Sequence, residues 1–215
     1  YLTTAVRTGG EGMGGISLLL IEMDRPGVSR TPLEKMGWHC SDTASIILDD
    51  VRIPAENLIG PENAGFAAIM RNFNGERLGM AQGCCAYARV CLEEAAAYAG
   101  ERQTFGKPLT GHQAIRIKLA DMARQIEATQ AWVDLCAWQV REGKALPADF
   151  AMLKVQATRM LEQVARDAAQ ILGGASYLKG SKIERIYREV RVNAIGGGSE
   201  EIMLDLAGRQ LFGRA

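Results

Sequence analysis

The sequence predicts an α+β fragment in which part of an antiparallel β-domain is followed by an antiparallel helical bundle of four-helix type. Three observations predict this class. Short apolar runs punctuated by Gly and Pro fill the beginning of the chain, a helical period replaces them from about residue 62, and short connections separate the long periodic segments. The predicted domains are residues 1–60 and residues 61–215.

The β part is predicted from three stretches. The chain opens in what looks like a strand, "YLTTAVRT", "GISLLLIEMD" leads into a turn at "RPGV", and "ASIILDDVRIP" ends at Pro54. Because the chain opens inside a strand without a starting Met or a signal peptide, we expect further strands upstream.

The helical part is predicted from apolar residues that recur at steps of three and four. Gly143 and Pro147 separate the second helix from the third, and the glycine pair at 173–174 ends the third. The predicted helices cover about residues 62–91, 115–140, 150–171, 181–194 and 200–212.

Composition excludes several classes of partner. Lys+Arg and Asp+Glu both number 25, and this balance argues against nucleic acid or an anionic membrane. No run reaches the roughly 20 apolar residues that a membrane span requires. Five cysteines without a CxxC and two distant histidines predict no metal site, and the odd cysteine count suits a reducing compartment.

The stretch "NGERLG" at 74–79 is the first candidate for chemistry. Gly75, Gly79 and Gly83 recur at helical spacing and form a bare face that would admit another backbone or a flat ligand. Glu76 lies near the apolar seam beside them, where a carboxylate could serve as a base. The structural alternative is a surface glutamate, capped or paired with Arg77 or Arg71, beside closely packed helices.

The stretch "ERQTFGKPLTGHQ" at 101–113 breaks the helical period, so we expect a loop between helices. Its Arg102, Thr104 and Phe105 could grip a phosphate and cover a ring. The alternative is an ordinary helix–helix connection that Phe105 anchors.

Two glycine-rich stretches complete the candidates. The glycine pair in "QILGGASY" either lets the backbone approach a cofactor or simply ends a helix. "IGGGSEEIM" at 195–203 matches neither a Walker motif nor GxGxxG after a strand. Its Ser199 is a candidate N-cap for the last helix, with Glu200 and Glu201 in the first turn.

Taken in order, these stretches resemble the acyl-CoA dehydrogenase family over essentially the whole chain. "EKMGWHCSDTASIILDDVRIPAENLIG" resembles the second half of the family's central β-domain. "ERQTFGKPLTGHQAI", "LADM", "QILGGASY" and "ERIYREVRVNAIGGGSEEI" resemble its C-terminal bundle. The N-terminal helical domain and the first half of the β-domain would lie upstream.

The resemblance implies FAD-dependent α,β-dehydrogenation of a fatty acyl-CoA thioester to trans-2-enoyl-CoA. A carboxylate base removes the α-proton, hydride passes from the β-carbon to flavin N5, and electron-transfer flavoprotein receives the electrons. A backbone N–H and the flavin ribityl hydroxyl polarise the thioester oxygen. The 215-residue piece is expected to be inactive alone, because part of the flavin site would lie upstream.

The position of the base follows from the same resemblance. Many members resemble "IYEGTSEIQ" where this chain has "IGGGSEEIM", and their base aligns with Gly197. The isovaleryl-type and long-chain-type members place the base before an arginine in an "ERL" context, which is Glu76 here. Gly197 then clears space and directs its N–H towards the thioester oxygen, while Gly198 lets the chain pass close to substrate and flavin.

The resemblance also assigns the remaining contacts. Asn74 and Arg77 match positions bordering the substrate, with Asn74 in place of an acidic residue found in some members. FAD contacts match Arg102, Thr104, Phe105, Gln113, Gln170, Gly173, Gly174, Ser199 and Glu201. Because the first three are expected to reach a neighbouring subunit's flavin, the resemblance implies a homotetramer built as a dimer of dimers.

Two other functions fit the same resemblance. An acyl-CoA oxidase would reduce oxygen, and a non-catalytic structural subunit would keep the fold without turnover. Glu76 counts against the latter, because an inactive copy need not replace the missing base. Small residues at 196–198 favour medium-to-long or branched acyl chains. The expected compartment is a bacterial cytoplasm, with the mitochondrial matrix as the alternative.

Overall fold

The computed structural model describes residues 1–213, in which strands precede helices, and this order confirms the predicted α+β class. The described residues form two compact units. The first is Tyr1–Phe73, and the second begins at Asn74.

The first unit contains two antiparallel strand pairs. Leu2 lies opposite Ile21 in the first pair, and Val28 lies opposite Leu48 in the second. Leu18 and Ile21 on the second strand are buried. The strands are β1 (Leu2–Arg7), β2 (Ile16–Ile21), β3 (Val28–Pro32) and β4 (Ala44–Leu48).

Two features of this unit differ from the prediction. No strand is predicted after the turn at "RPGV", but Val28 begins β3, which pairs with β4. The predicted run "ASIILDDVRIP" forms a strand only as far as Leu48. Asp50 adopts φ 46°, a left-handed conformation that does not continue a strand, and the ladder therefore ends before Val51.

Gly27 in the turn before β3 provides a test of this unit. Its φ is 89°, and a Cβ there would lie 2.1 Å from the backbone oxygen of Asp49. We expect Gly27→Ala to lower the free energy of unfolding by about 1–3 kcal/mol. Gly12→Ala is the matched control, because Gly12 has φ 82° but open space around it. Chemical denaturation of the full-length protein should show a larger loss for Gly27→Ala; equal losses would contradict the predicted clash.

Helices form in each predicted segment, but the first continues to Glu101 and the predicted stretch at 181–194 is divided into two helices at Val190. Gly173, with φ 59°, ends the third helix as the sequence predicts. The helices are α1 (Gly65–Glu101), α2 (Gln113–Arg141), α3 (Pro147–Leu172), α4 (Lys182–Glu189), α5 (Arg191–Ile195) and α6 (Glu200–Phe212).

The long helices alternate in direction, because α2 runs antiparallel to both α1 and α3. From Lys118 to Thr129 along α2, the hydrogen-bonded partner on α3 moves back from Asp167 to Gln156. Between α1 and α2, Arg89 pairs with Glu127 and Gln82 with Gln130, which also indicates opposite directions. The end of α1, the start of α2 and the end of α3 therefore lie at one end of the bundle.

Small buried side chains on α1 allow the helices to approach closely. These residues share the inward face of the helix: Ala81, Cys84, Cys85, Ala88, Cys91, Ala95 and Ala99. Burial raises the pKa of Cys84 and that of Cys91 to about 12, so both thiols are protonated at neutral pH. They are packing residues rather than nucleophiles.

Residues 1–213 contain no cluster of three His, Cys, Asp or Glu side chains able to hold a metal ion. Within the same residues, every helix is too short or too polar to cross a membrane.

Candidate active site

The predicted site residues form two groups in the second unit. The turn group lies where α1 meets the connection between α5 and α6; it comprises Asn74, Glu76, Arg77, Gly197, Gly198, Ser199 and Glu201. The hairpin group lies at the end of the bundle where α1 and α3 finish; it comprises Arg102, Thr104, Phe105, Gln113, Gln170, Gly173 and Gly174.

The glycine turn, residues 196–199, follows α5. The Gly196 N–H donates to the Val192 carbonyl (2.7 Å) and closes that helix. Gly197 and Gly198 then take φ 69° and 114°, in the left-handed region that favours glycine. A Cβ on Gly197 would be in ordinary contact with Met80 at 3.6 Å, so conformation rather than lack of space explains glycine there.

Arg77 joins α1 to the glycine turn. Its side chain is 4% exposed. Nε donates to the Gly197 carbonyl (3.0 Å), and Nη1 donates to Oδ1 of Asn74 (3.2 Å). Burial lowers the pKa of Arg77, while the charge of Glu76 acts in the opposite direction. The structure therefore brings Asn74, Arg77 and Gly197 together, although 120 residues separate the last two.

Glu76 is exposed and immediately precedes Arg77 on α1. Gly79 and Gly83 follow it at helical spacing of three and seven, so the three residues share one face. A Cβ on either glycine would meet no atom within 4 Å. Glu76 thus lies on an open face of α1, one residue from the arginine that holds the glycine turn.

Lys154 on α3 is a residue that sequence reasoning missed. Its side chain is 0% exposed, and Nζ donates to the carbonyls of Ala194 (2.9 Å) and Gly198 (2.8 Å). The available signal was a lone lysine in the apolar run "FAMLKVQA" of a predicted helix. Lysine is almost never fully buried unless it is paired, so this position could have been identified as special.

Ser199 occupies the predicted N-cap position of α6, but its hydroxyl makes no cap hydrogen bond to the helix backbone. The hydroxyl donates to the carboxylate of Glu201. The N–H of Glu201 itself and this hydroxyl lower the pKa of Glu201.

The loop predicted at 101–113 contains a tight hairpin. Its strands are β5 (Gln103–Thr104) and β6 (Lys107–Pro108), and Phe105 and Gly106 form the tip with φ 51° and 76°. The Phe105 side chain is 96% exposed, so within this chain it does not anchor the connection. Nε2 of His112 lies 3.2 Å from Oγ1 of Thr104 and steadies the hairpin at its base.

The rest of the hairpin group surrounds the ends of α2 and α3. Gln113 is the first residue of α2, Gln170 lies in the last turn of α3, and both are exposed. Gly173 and Gly174 are exposed as well, and a Cβ on either would meet no atom within 4 Å. The glycine pair therefore both ends α3 and exposes its backbone.

The two groups are far apart in one chain. Arg77 and Arg102 lie 25 positions apart along and just beyond α1. At about 1.5 Å per residue, the helix separates them by about 37 Å. A single chain therefore presents two separate halves of the predicted site.

Residues 63–212 match the family model of the acyl-CoA dehydrogenase C-terminal domain. Acyl-CoA dehydrogenase AFT10-1 of Alternaria alternata is 43% identical over 218 residues, which cover 96% of this chain and 50% of that protein. The chain thus spans about half the length of the curated relatives it matches.

Solved structures agree with the sequence match. A probable acyl-CoA dehydrogenase from Mycobacterium abscessus is 46% identical with a TM-score of 0.95, covering 97% of this chain and 56% of that one. A structure described as PigA with FAD and proline is 26% identical with a TM-score of 0.91, covering 95% and 54%. On the family-model match and these similarities, the chain belongs to the acyl-CoA dehydrogenase family.

Proposed function

We propose that the full-length protein is an FAD-dependent acyl-CoA dehydrogenase in which Glu76 is the catalytic base. The observation that carries this proposal is the contact between Arg77 and the Gly197 carbonyl. The contact brings the residue next to Glu76 against the turn where many relatives carry their base. In this proposal residues 1–60 belong to the central β-domain and residues 61–215 form the bundle domain.

The chemistry needs a base and a hydrogen-bond donor on opposite parts of the substrate. The α C–H of a thioester is weakly acidic, so the base must be held against it as enolate charge develops on the oxygen. Glu76 accepts the α-proton, and the Gly197 N–H donates to the thioester oxygen. FAD, held by the hairpin group with Ser199 and Glu201, would supply the hydride acceptor for the β-carbon as the Cα–Cβ double bond forms. Asn74 and Arg77 border the substrate and keep the turn in place.

The hairpin group has the chemistry that a flavin dinucleotide requires. Arg102 offers a guanidinium to a phosphate, and Gln113 and Gln170 offer carboxamides. The exposed ring of Phe105 can cover a flat group. Thr104 and the bare backbone at 173–174 complete the set, while Ser199 and Glu201 would contact the cofactor from the turn group. The likeness to a structure described with FAD supports this assignment.

The separation of the two groups supports an oligomer. About 37 Å of helix is further than one FAD extends, so the turn group and the hairpin group of one chain cannot both hold the same flavin. If both groups contact FAD, each flavin lies between the turn group of one chain and the hairpin group of another. We propose a homotetramer built as a dimer of such paired chains.

The finer assignments concern substrate, acceptor and compartment. The open face at Gly79 and Gly83 supports a roomy site for medium-to-long or branched acyl chains. We propose electron-transfer flavoprotein as the electron acceptor and a bacterial cytoplasm as the compartment.

Anaerobic titration of the full-length, flavin-loaded protein with acyl-CoAs tests the function. We expect flavin absorbance to bleach, most readily with medium-to-long or branched chains. Readmitting oxygen without an acceptor should cause little turnover; rapid oxygen consumption would identify an oxidase instead. A protein that binds no flavin, or never bleaches with any acyl-CoA, would favour the structural subunit.

A further inference from the structure

We propose that Lys154 is a positioning residue that holds the glycine turn in the conformation that binds the thioester oxygen. The inference rests on the proposed dehydrogenase function. It adds to that function a buried ammonium group on α3 that touches neither substrate nor flavin and acts through the backbone of residues 194–199.

The contacts of Lys154 surround the position that is proposed to bind the substrate. Nζ donates to the Ala194 carbonyl before Gly197 and to the Gly198 carbonyl after it. Arg77 donates to the Gly197 carbonyl between them. Three carbonyls of one short segment are therefore held by two buried cations that come from different helices, α1 and α3.

Holding these carbonyls fixes the directions of the N–H groups. A peptide group is planar and trans, so its C=O and the N–H of the next residue point in opposite directions. With the carbonyls of Gly197 and Gly198 bound to cations, the N–H groups of Gly198 and Ser199 point away from them. Both peptide planes that flank Gly198 are thereby set. The Gly197 N–H shares its peptide with the Gly196 carbonyl, so the two cations act on it through the bound carbonyls of Ala194 before it and of Gly197 and Gly198 after it.

The sequence of the turn explains why these hydrogen bonds to its carbonyls are needed. Glycine populates positive and negative φ about equally, so consecutive glycines would leave residues 196–198 with many conformations. Because glycine has no Cβ, steric contacts limit its φ and ψ less than those of other residues. Charge-assisted hydrogen bonds to the carbonyls supply that restriction, and they are stronger than bonds between neutral groups.

The burial of Lys154 points to a role beyond packing. Burial lowers the pKa of its ammonium, as do the nearby charges of Arg77 and Arg191, while Glu200 favours the charged form. A well-packed apolar side chain in place of buried charge is often neutral or stabilising. An ammonium kept at this position, bonded to Ala194 just before the turn and to Gly198 within it, therefore serves the turn.

The inference predicts a defect in catalysis rather than in binding alone. Misplacing a reacting group by about 1 Å can cost about 10²-fold in rate. Lys154→Met keeps an unbranched side chain but removes the donors, and we expect the flavin-reduction rate at saturating acyl-CoA to fall by about 10- to 100-fold. The apparent dissociation constant for acyl-CoA should change much less.

The test uses the full-length flavoprotein with two independent readouts. The first is the rate of flavin reduction at saturating acyl-CoA. The second is the infrared C=O stretch of a bound enoyl-CoA labelled with ¹³C at the thioester, which reports polarisation without turnover. Lys118→Met is the matched control. Lys118 on α2 pairs with Asp167 on α3, the helix that carries Lys154, but towards the end where the hairpin group lies.

We expect Lys154→Met to lose rate and to shift the carbonyl stretch towards its value in water, while Lys118→Met keeps the wild-type frequency. Lys154→Gln, which retains donor hydrogens, should give intermediate values, and it decides the question if the Met variant does not fold. A purely structural role would lower thermal stability and leave both readouts unchanged.

If wild type bleaches and the folded Lys154 variants match it in both readouts, the inference fails and the proposed function stands. If wild type binds acyl-CoA but never bleaches, the proposed function fails, and the inference fails with it.

Discussion

Glu76→Gln is expected to slow flavin reduction by acyl-CoA about 10²- to 10⁴-fold in the full-length protein, the range that general bases contribute. The amide keeps the size of the side chain but cannot accept the α-proton. Glu76 lies on the open face of α1, so the change should leave the fold and acyl-CoA binding nearly intact. Stopped-flow absorbance under anaerobic conditions measures the rate directly.

Glu93→Gln is the matched control for this variant. Glu93 is exposed on the same helix, outside both site groups. In the Glu93→Gln variant, acyl-CoA should reduce the flavin at the wild-type rate. If Glu76→Gln also bleaches as fast as wild type, Glu76 is not the base. Glu200, which pairs with Arg159 at the start of α6, or a residue upstream then becomes the candidate.

Mixed oligomers should recover activity that neither parent variant has. One parent carries Glu76→Gln, which damages the turn group. The other carries Arg102→Ala and Phe105→Ala, which damage the hairpin group. If each flavin lies between groups from two chains, a mixed pair contains one site with both groups intact, and about half of the wild-type activity per pair should return.

Two affinity tags on the parents allow the mixed species to be purified after co-expression. Each parent purified alone should be nearly inactive, and mixing two chains that both carry Glu76→Gln should restore nothing. If mixed oligomers are as inactive as their parents, both groups act within one chain or the hairpin group does not serve the flavin. The proposed sharing of the site would then be wrong.

Much of the helical part could be predicted because its signals are local. The last helix was expected at about 200–212 and is Glu200–Phe212, and the glycine pair ends α3 as predicted. The strand β3 (Val28–Pro32) is absent from the prediction, because it follows Gly27 without an apolar run of its own. Its pairing with β4 decides the strand, and a local pattern does not show that pairing.

The site was predictable only in part. Glycine in the left-handed region explains residues 197 and 198, and the resemblance supplied Glu76 and Arg77. The Arg77 contact with Gly197 spans 120 residues, and the Lys154 contacts span 40 and 44, so periodicity could not reveal them. The separation of the turn group from the hairpin group likewise required the helix directions.

Proton exchange at the α-carbon tests the central claim, that Glu76 is the base, most directly. A 3-thia-acyl-CoA has sulfur in place of the β-carbon, so it cannot lose hydride and isolates the proton step. In D₂O, the wild-type flavoprotein should exchange deuterium into the α-position, and Glu76→Gln should do so about 10²- to 10⁴-fold more slowly. Equal exchange in the two proteins, with equal occupancy by the ligand, would contradict the assignment of Glu76 as the base.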